Sequence, residues 1–395
     1  MLRDKTVVLG ITGSIAAYKM ASLASSLKKL GVNVEIIMTE NATQFITPLT
    51  FEAITGNRCI VDTFDRNFDF NIEHISIAKK ADLFMVAPAS ANIIGKIANG
   101  IADDMLTTTF MACTCPKLIA PAMNTNMYNN NILQDNLSRC RDYGIRIIEP
   151  AEGLLACGDS GRGKLPEPEL LLEHILSEIQ YVKDLTGKKV LVTAGPTMEA
   201  IDPVRYITNH SSGKMGYAIA KCAAYRGAKT VLVTGRTHIE APILTSVINV
   251  TDAESMYNAV MSEISEADII VMAAAVADYT PAHTSSEKLK KKDSDMQVEL
   301  KRTRDILKEI GSIKRSDQYV CGFAMETQNL IDNAKAKLAA KNADMIVANS
   351  LRTEGAGFGT ATNVATLIKP DQINQLPIMS KDELAEIILN EALNR

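Results

Sequence analysis

The chain has 395 residues, which is enough for two or three domains that each bury a core of their own. Its 46% of hydrophobic and 22% of charged residues are typical of a globular protein. The net charge of −4 excludes a general electrostatic grip on nucleic acid or on an anionic membrane. No apolar stretch is long enough to span a membrane and no signal peptide is recognised, so we expect a cytoplasmic protein.

Apolar strand segments alternate with helical segments through the first half of the chain. Residues 6–10 predict a buried strand, and residues 16–30 predict a helix that ends at Gly31. Further strands are predicted at 34–39, 83–88, 117–121 and 145–148. This alternation predicts a parallel sheet that is covered by helices.

A second series of strands and helices follows a predicted helix at 169–182. The segment 183–187 is the best boundary, so we expect domains at 1–187 and 188–395. The second domain has predicted strands at 190–193, 230–234, 269–273, 319–323, 344–348 and 365–368, and a closing helix at 381–393. The fold class is therefore α/β, with two Rossmann-like domains.

Two glycine-bearing turns between a strand and a helix lie roughly half a chain apart. The first is residues 9–14, and the second begins at residues 190–197 and continues to Gly216. Backbone N–H groups at a helix N-terminus form a site for phosphate, so two such turns indicate two nucleotide-type sites and two linked activities. Neither has the Gly-x-Gly-x-x-Gly pattern, which makes a dehydrogenase the weaker hypothesis.

Three further segments of the first half indicate a ligand site. Residues 88–92 and 121–128 follow predicted strands, at the carboxyl edge where doubly wound sheets bind ligands. Residues 156–168 form a glycine-rich loop that contains Cys157 and is suited to act as a mobile lid. The other six cysteines are expected to be reduced core residues, since no Cys-x-x-Cys pair is present.

Together these segments resemble the bacterial bifunctional phosphopantothenoylcysteine decarboxylase / phosphopantothenate–cysteine ligases of coenzyme A synthesis. The likeness covers essentially the whole chain, and residues 194–216 are its longest match. It implies an N-terminal flavodoxin-like flavoprotein domain and a C-terminal nucleotide-binding ligase domain. It also implies FMN bound near Gly13, Ser14, Thr39, Ser90, Ala91 and Asn92.

For the decarboxylase, the resemblance implies that His74 is catalytic, that Asn124 binds the substrate carboxylate and that Cys157 donates a proton. An aliphatic carboxylate can leave as carbon dioxide once the flavin has oxidised the neighbouring CH2–SH group to an electron sink. Histidine suits proton transfer near neutral pH, and a neutral amide holds a carboxylate without resisting its loss. Tyr128 and Lys164 depart from the family's usual Trp and Arg.

For the ligase, the resemblance implies that CTP activates 4'-phosphopantothenate as an acyl-cytidylate, which L-cysteine then converts to an amide. Lys288 is implied as the catalytic lysine, Asn209 as necessary for cytidylylation, and Asp278 as the Mg²⁺ and nucleotide contact. Further nucleotide positions are implied at Arg304, Asp305, Ile306, Leu307, Phe323, Lys337 and Lys341.

Some of these ligase positions leave alternatives open. Arg304 stands where proline is frequent, and Met325 replaces the usual alanine. Lys337 and Lys341 have the i, i+4 spacing of an ordinary exposed helix face.

Two alternatives to the bifunctional enzyme also stay open at this point. One is a flavin-dependent cysteine decarboxylase with a non-catalytic second domain, and the other is a non-catalytic flavin-binding regulatory subunit. The resemblance further implies a homo-oligomer with trimeric contacts among decarboxylase halves and dimeric contacts among ligase halves, an arrangement that closes as a dodecamer.

Overall fold

The computed structural model describes residues 2–64, 73–155, 158–290, 296–326, 329–350 and 362–394. The chain divides into two compact units, Met1–Val182 and Lys183–Arg395. Each unit is built on a largely parallel sheet with helices between its strands, which confirms the predicted α/β class. The boundary between residues 187 and 188 stays a prediction.

The first unit has a parallel sheet in the order β3-β2-β1-β4-β5-β6 and a separate hairpin, β7-β8. Its strands are β1 Thr6–Ile11, β2 Asn33–Met38, β3 Cys59–Ile60, β4 Leu83–Ala89, β5 Lys117–Pro121, β6 Arg146–Ile147, β7 Ala151–Leu154 and β8 Ser160–Lys164. Its helices are α1 Lys19–Lys29, α2 Pro48–Thr55, α3 Glu73–Lys80, α4 Ala91–Ala98, α5 Met105–Ala112, α6 Thr125–Tyr128, α7 Asn131–Asp142 and α8 Pro168–Ile179.

Both faces of this sheet are buried. Leu9 of β1 packs in one apolar cluster with residues of α1, α2 and α8, and its neighbour Val8 packs in another with residues of α4, α5 and α7. Because successive strand residues point to opposite faces, burial on both sides requires an uninterrupted apolar run. That requirement explains why β1 and β4 are the most readily predicted strands.

The second unit has a sheet in the order β13-β12-β9-β14-β17-β18-β20-β21, in which β20 is antiparallel to both of its neighbours, β18 and β21. Its strands are β9 Lys189–Ala194, β10 Met198–Ala200, β11 Tyr206–Thr208, β12 Lys229–Thr234, β13 Thr245–Asn249, β14 Ile269–Met272, β15 Tyr279–Pro281, β16 Leu300–Arg302, β17 Tyr319–Glu326, β18 Met345–Ser350, β19 Thr362–Asn363, β20 Ala365–Ile368, β21 Ile373–Gln375 and β22 Met379–Ser380. Its helices are α9 Lys214–Tyr225, α10 Ala253–Glu263, α11 Ile306–Ile313, α12 Leu330–Ala340 and α13 Lys381–Leu393.

Six cysteines lie within the described residues, and all six are free thiols. Five of them are buried and Cys115 is half-buried, as expected for reduced core residues. Among the helices that the structure describes, none has the length and apolar character needed to cross a bilayer.

Candidate active sites

Loops at the carboxyl ends of three neighbouring strands bring together most of the residues predicted for the first site. Gly13 and Ser14 follow β1, Thr39 follows β2 and Ser90 follows β4. Each of the three hydroxyl groups caps the helical turn that follows it by accepting a hydrogen bond from a backbone N–H group. The remaining predicted residues, Ala91 and Asn92, are the first two of α4.

Thr12, which the sequence analysis missed, joins two of these loops. Its buried hydroxyl donates to the carbonyl of Pro88 at 2.7 Å and accepts from the backbone N–H of Ser90 at 2.9 Å. A third loop approaches Gly13 so closely that an added Cβ would lie 2.7 Å from the Cβ of Asn41. Small residues, capping hydroxyls and helix N-termini therefore line this edge, and this chemistry fits a phosphate group.

His74 is the second residue of α3 and its side chain is half-buried. The last turn of α3 leads into the amino-terminal end of β4. The first turn of α3 therefore lies toward the carboxyl edge of the sheet. The helix packs against α5, on the same sheet face as α4. The residues just before it, 65–72, lie outside the described part of the chain.

The β7-β8 hairpin lies across the loop that contains Asn124. The Asn124 side chain donates to Asp159 Oδ2 at 3.1 Å, and the backbone N–H of Met123 donates to the carbonyl of Gly163 at 3.0 Å. An added Cβ at Gly163 would lie 2.1 Å from the Met123 carbonyl oxygen. The predicted proton donor Cys157 lies outside the described residues.

Two residues beside Asn124 have environments that the sequence did not indicate. The hydroxyl oxygen of Thr125 is buried and has no hydrogen-bond partner among the described residues. Tyr128 is buried and donates to Glu149 Oε2 at 2.6 Å. Burial, with the adjacent Glu149 carboxylate, raises the pKa of Tyr128 to about 12. Lys164 lies 3.5 Å from Glu167, which also pairs with the buried Lys19.

The second unit contains a cavity of about 540 Å³ at the carboxyl ends of β14, β17 and β18. Four residues predicted for the ligase site line it: Asn209, Asp278, Phe323 and Lys337. The family departure Met325 lines it as well. Its wall also includes residues 211–216, which are the second glycine-bearing turn and the start of α9.

Hydrogen bonds hold two of these lining residues in place. Asn209 Nδ2 donates to the carbonyl of Val276 at 3.1 Å, and Lys337 Nζ donates to the carbonyl of Phe323 at 2.8 Å. A further lining residue, Asn349, has a buried Oδ1 without a hydrogen-bond partner in the described part of the chain. Sequence reasoning missed Asn349, because an asparagine at the end of a strand carries no motif.

Other predicted ligase residues have side chains that serve the fold and do not line the cavity. Ile306 and Leu307 belong to the apolar core of the second unit, so only their backbone is available to a ligand. Asp305 accepts from the backbone N–H of Lys308 as the cap of α11, and it pairs with Lys341. Lys341 is therefore not one of a pair of solvated lysines on an exposed helix face.

Arg304 points to a neighbouring helix. Its guanidinium lies 4.5 Å from the centre of the Tyr257 ring, and its Nε lies 3.7 Å from Glu254 Oε2. Both partners belong to α10. An arginine in this position thus makes contacts that a proline cannot make.

Lys288 is exposed on a loop whose backbone is fixed by a buried acid. The backbone N–H of the next residue, Leu289, donates to Asp202 Oδ2 at 3.1 Å. Arg205 pairs with Asp202 and also donates to the Leu289 carbonyl at 3.0 Å. Asp202 and Arg205 belong to the second glycine-bearing segment. Their hydrogen bonds to Leu289 therefore connect this segment to the loop of Lys288.

Asp278 is exposed and borders the cavity. Within the described ranges, no group of three or more His, Cys, Asp or Glu residues has the arrangement of a metal site. Magnesium commonly takes one or two carboxylates and completes its shell with water and phosphate oxygens. A single carboxylate beside this cavity has the chemistry to contribute one ligand to such an ion.

Comparison with known proteins covers both units. Residues 1–180 match the model of the Flavoprotein family, and residues 185–394 match the DNA/pantothenate metabolism flavoprotein C-terminal domain. The chain is 48% identical to the coenzyme A biosynthesis bifunctional protein CoaBC of Bacillus subtilis (strain 168), over 99% of this chain and 97% of that protein. It is 41% identical to the protein of the same name from Haemophilus influenzae, over 100% of this chain and 98% of that protein. A solved structure of the C-terminal domain of such a protein is 41% identical, covers 52% of this chain and 94% of its own, and has a TM-score of 0.45.

Proposed function

We propose that each unit performs one reaction, since the chain belongs to the family of coenzyme A biosynthesis bifunctional proteins. The chain is a bifunctional enzyme of coenzyme A biosynthesis, with phosphopantothenate–cysteine ligase and phosphopantothenoylcysteine decarboxylase activities. Its first unit is a flavoprotein domain. The proposal also assigns the flavin, the nucleotide, the metal and a role for each residue.

FMN is the flavin that we assign to the first unit. The three capping hydroxyls and the close approach at Gly13 support a bound phosphate monoester at this sheet edge. When bound, the flavin supplies a reversible two-electron store, so that the substrate's CH2–SH group is oxidised before carbon dioxide leaves and reduced afterwards. Its contacts are Gly13, Ser14, Thr39, Ser90, Ala91 and Asn92.

The residues around the hairpin handle the substrate of the decarboxylase. Asn124 binds the carboxylate with a neutral amide, which does not stabilise the charge that must be lost. His74 moves a proton near neutral pH, and Cys157 returns a proton at the end of the reaction. The hydroxyl of Thr125, which has no hydrogen-bond partner among the described residues, supports a polar ligand beside Asn124.

In the second unit, the carboxylate of 4'-phosphopantothenate attacks the α-phosphorus of CTP, and pyrophosphate leaves. The amine of L-cysteine then attacks the acyl carbon, and CMP leaves. Lys288 and Lys337 stabilise the charge on the phosphates, and Asn209 and Asp278 orient the nucleotide and its Mg²⁺ ion. Because the side chains of Ile306 and Leu307 are buried, residues 304–307 contact the nucleotide through their backbone.

The single observation that carries the ligase assignment is the cavity of about 540 Å³ that Asn209, Asp278, Phe323 and Lys337 line together. Ligand sites in proteins typically have this size and a few convergent polar groups. A second domain with only an assembly role needs no cavity that is lined by lysines and a carboxylate. Cytoplasmic location and a trimer-and-dimer homo-oligomer stay predictions.

Product analysis by mass spectrometry tests the whole proposal. The purified protein is mixed with 4'-phosphopantothenate, L-cysteine, Mg²⁺ and either CTP or ATP, with and without added FMN. We expect 4'-phosphopantetheine with CTP. Protein that has been stripped of its flavin and receives no FMN is expected to accumulate 4'-phosphopantothenoylcysteine. Amide formation with ATP but not CTP contradicts the nucleotide assignment, and absence of amide with either nucleotide contradicts the ligase.

A further inference from the structure

Two lysines that the resemblance does not single out border the ligase cavity. Lys214 is the first residue of α9 and Lys381 is the first residue of α13, and both line the cavity that contains Asn209 and Asp278. The two helices pack against each other, which brings their first residues to the same rim. One side of the cavity is thus formed by two cationic side chains from distant parts of the sequence.

The electrostatics of Lys381 show that the two lysines act on each other. Lys381 is half-buried, and its Nζ donates to the carbonyl of Thr362 at 3.2 Å. Burial lowers the pKa of Lys381, and the positive charge of Lys214 lowers it further. An anion bound between the two ammonium groups removes this repulsion, whereas a neutral ligand does not.

We propose that Lys214 and Lys381 together form a phosphate-binding subsite of the ligase cavity. This inference rests on the proposed ligase function, because it assigns a ligand group to the same cavity. Lysine binds phosphate as a compact point charge, and residues 211–213 line the same cavity. Two phosphates are candidates: the triphosphate of the nucleotide and the phosphate monoester of 4'-phosphopantothenate.

Binding measurements on the full chain separate these two sources. Calorimetric titrations with CTP and Mg²⁺, with inorganic pyrophosphate and Mg²⁺, and with 4'-phosphopantothenate are compared for the wild type, Lys381→Gln and Lys214→Gln. Because a charged hydrogen bond is lost, we expect about 10- to 100-fold weaker binding in both variants. Loss for CTP and pyrophosphate identifies the triphosphate, and loss for 4'-phosphopantothenate alone identifies the monoester.

Lys229→Gln is the matched control, since Lys229 is exposed at the opposite, amino-terminal edge of the same sheet. It is expected to bind every ligand as the wild type does. Lys381→Arg keeps the charge and is expected to retain most of the affinity. If Lys381→Arg loses as much affinity as Lys381→Gln and both unfold at lower temperature, the role of Lys381 is structural and the proposal is overturned.

A measurement on the wild type avoids dependence on variants. Acetylation of lysine side chains, followed by peptide mass spectrometry, is expected to slow at Lys381 when pyrophosphate or 4'-phosphopantothenate is present, and to stay unchanged at Lys229. If the wild type binds CTP and 4'-phosphopantothenate, Lys381→Gln binds them with the same affinity, and neither ligand protects Lys381 from acetylation, the subsite alone is overturned. A wild type that binds neither ligand overturns the proposed ligase together with the subsite.

Discussion

Asp202 accepts a hydrogen bond of 3.1 Å from the backbone N–H of Leu289, the residue that follows Lys288. Asp202 is only 2% exposed, and Arg205 donates both to its carboxylate and to the Leu289 carbonyl. Two segments more than eighty residues apart are thereby joined at the loop of the proposed catalytic lysine. We infer that Asp202 positions Lys288 without touching the substrate.

Replacement Asp202→Asn is expected to slow pyrophosphate release from CTP roughly tenfold, because the charged pair with Arg205 that holds the loop is lost. The effect is expected in kcat more than in KM for CTP, and decarboxylation is expected to stay normal. Hydrogen bonds from Arg205 hold the pKa of Asp202 well below its ordinary value of 3.8. Its contribution to stability is therefore complete well above pH 4 and is lost progressively as the pH falls from about 4 to that lowered pKa.

Asp371→Asn serves as the control, since Asp371 is exposed in the turn between β20 and β21. It is expected to leave both activities unchanged. Equal loss of ligase and decarboxylase activity in Asp202→Asn indicates general unfolding and contradicts a positioning role.

Lys288→Gln is expected to reduce pyrophosphate release by at least about 10²-fold, since a fixed cation at the developing phosphate charge is removed. Decarboxylation of added 4'-phosphopantothenoylcysteine should persist. The comparison variant is Lys290→Gln, two residues away on the same exposed loop, and it is expected to retain most of the release rate. Normal release by Lys288→Gln moves catalysis to another residue.

His74→Asn is expected to reduce carbon dioxide release by about 10²–10⁴-fold, the usual effect of losing a general acid–base group. Ligation, measured as CMP formation, should be unaffected because the residue lies in the other unit. Lys79→Gln, an exposed change in the last turn of the same helix, controls for disturbance of α3. If His74→Asn lowers both activities equally, the two sites are not separate.

The sequence predicted the long buried strands well and the short polar ones poorly. Predicted segments 6–10 and 117–121 correspond to β1 and β5, whose burial on the sheet enforces an apolar run. Strand β8 was expected only as part of the glycine-rich loop 156–168, because Ser160–Lys164 has no apolar alternation. Its pairing depends on contacts that exist only in the folded unit, such as the bond from Met123 to Gly163.

For the ligase site, the resemblance implied four residues that line the cavity, but it did not indicate the residues that support them. Asn209 and Lys337 border the cavity, as residues in a motif or at an implied position should. Thr12 and Asp202 act through hydrogen bonds to residues more than 75 positions away, which no local pattern contains. The side chain of Leu307 serves the core, and the motif alone could not separate its backbone role from a side-chain role.

Gly163→Ala is expected to impair decarboxylation strongly. The new Cβ would lie 2.1 Å from the Met123 carbonyl oxygen, so the hairpin must move away from the loop of Asn124. Gly153→Ala is a close control, because its φ of +155° resembles the +142° of Gly163 while the nearest atom, in the flexible Lys164 side chain, is 3.9 Å away. We expect Gly163→Ala to cost roughly 1–3 kcal/mol more stability in thermal unfolding. Equal effects of the two variants contradict the steric explanation.

His174, in α8, is expected to make the first unit less stable in mild acid. Its Nδ1 is buried with no partner in the described residues, and burial, helped by the charge of Arg146, lowers the pKa of His174 to about 4. Between pH 6.5 and 4 the unfolded chain therefore binds the proton first, and stability falls with pH, by about 1–2 kcal/mol from pH 7 to 5 after allowance for partial exposure. In calorimetric unfolding at both pH values, His174→Gln should lose this part of the pH dependence, and His238→Gln, an exposed change in the second unit, should keep it. An unchanged pH dependence in His174→Gln means that another group titrates.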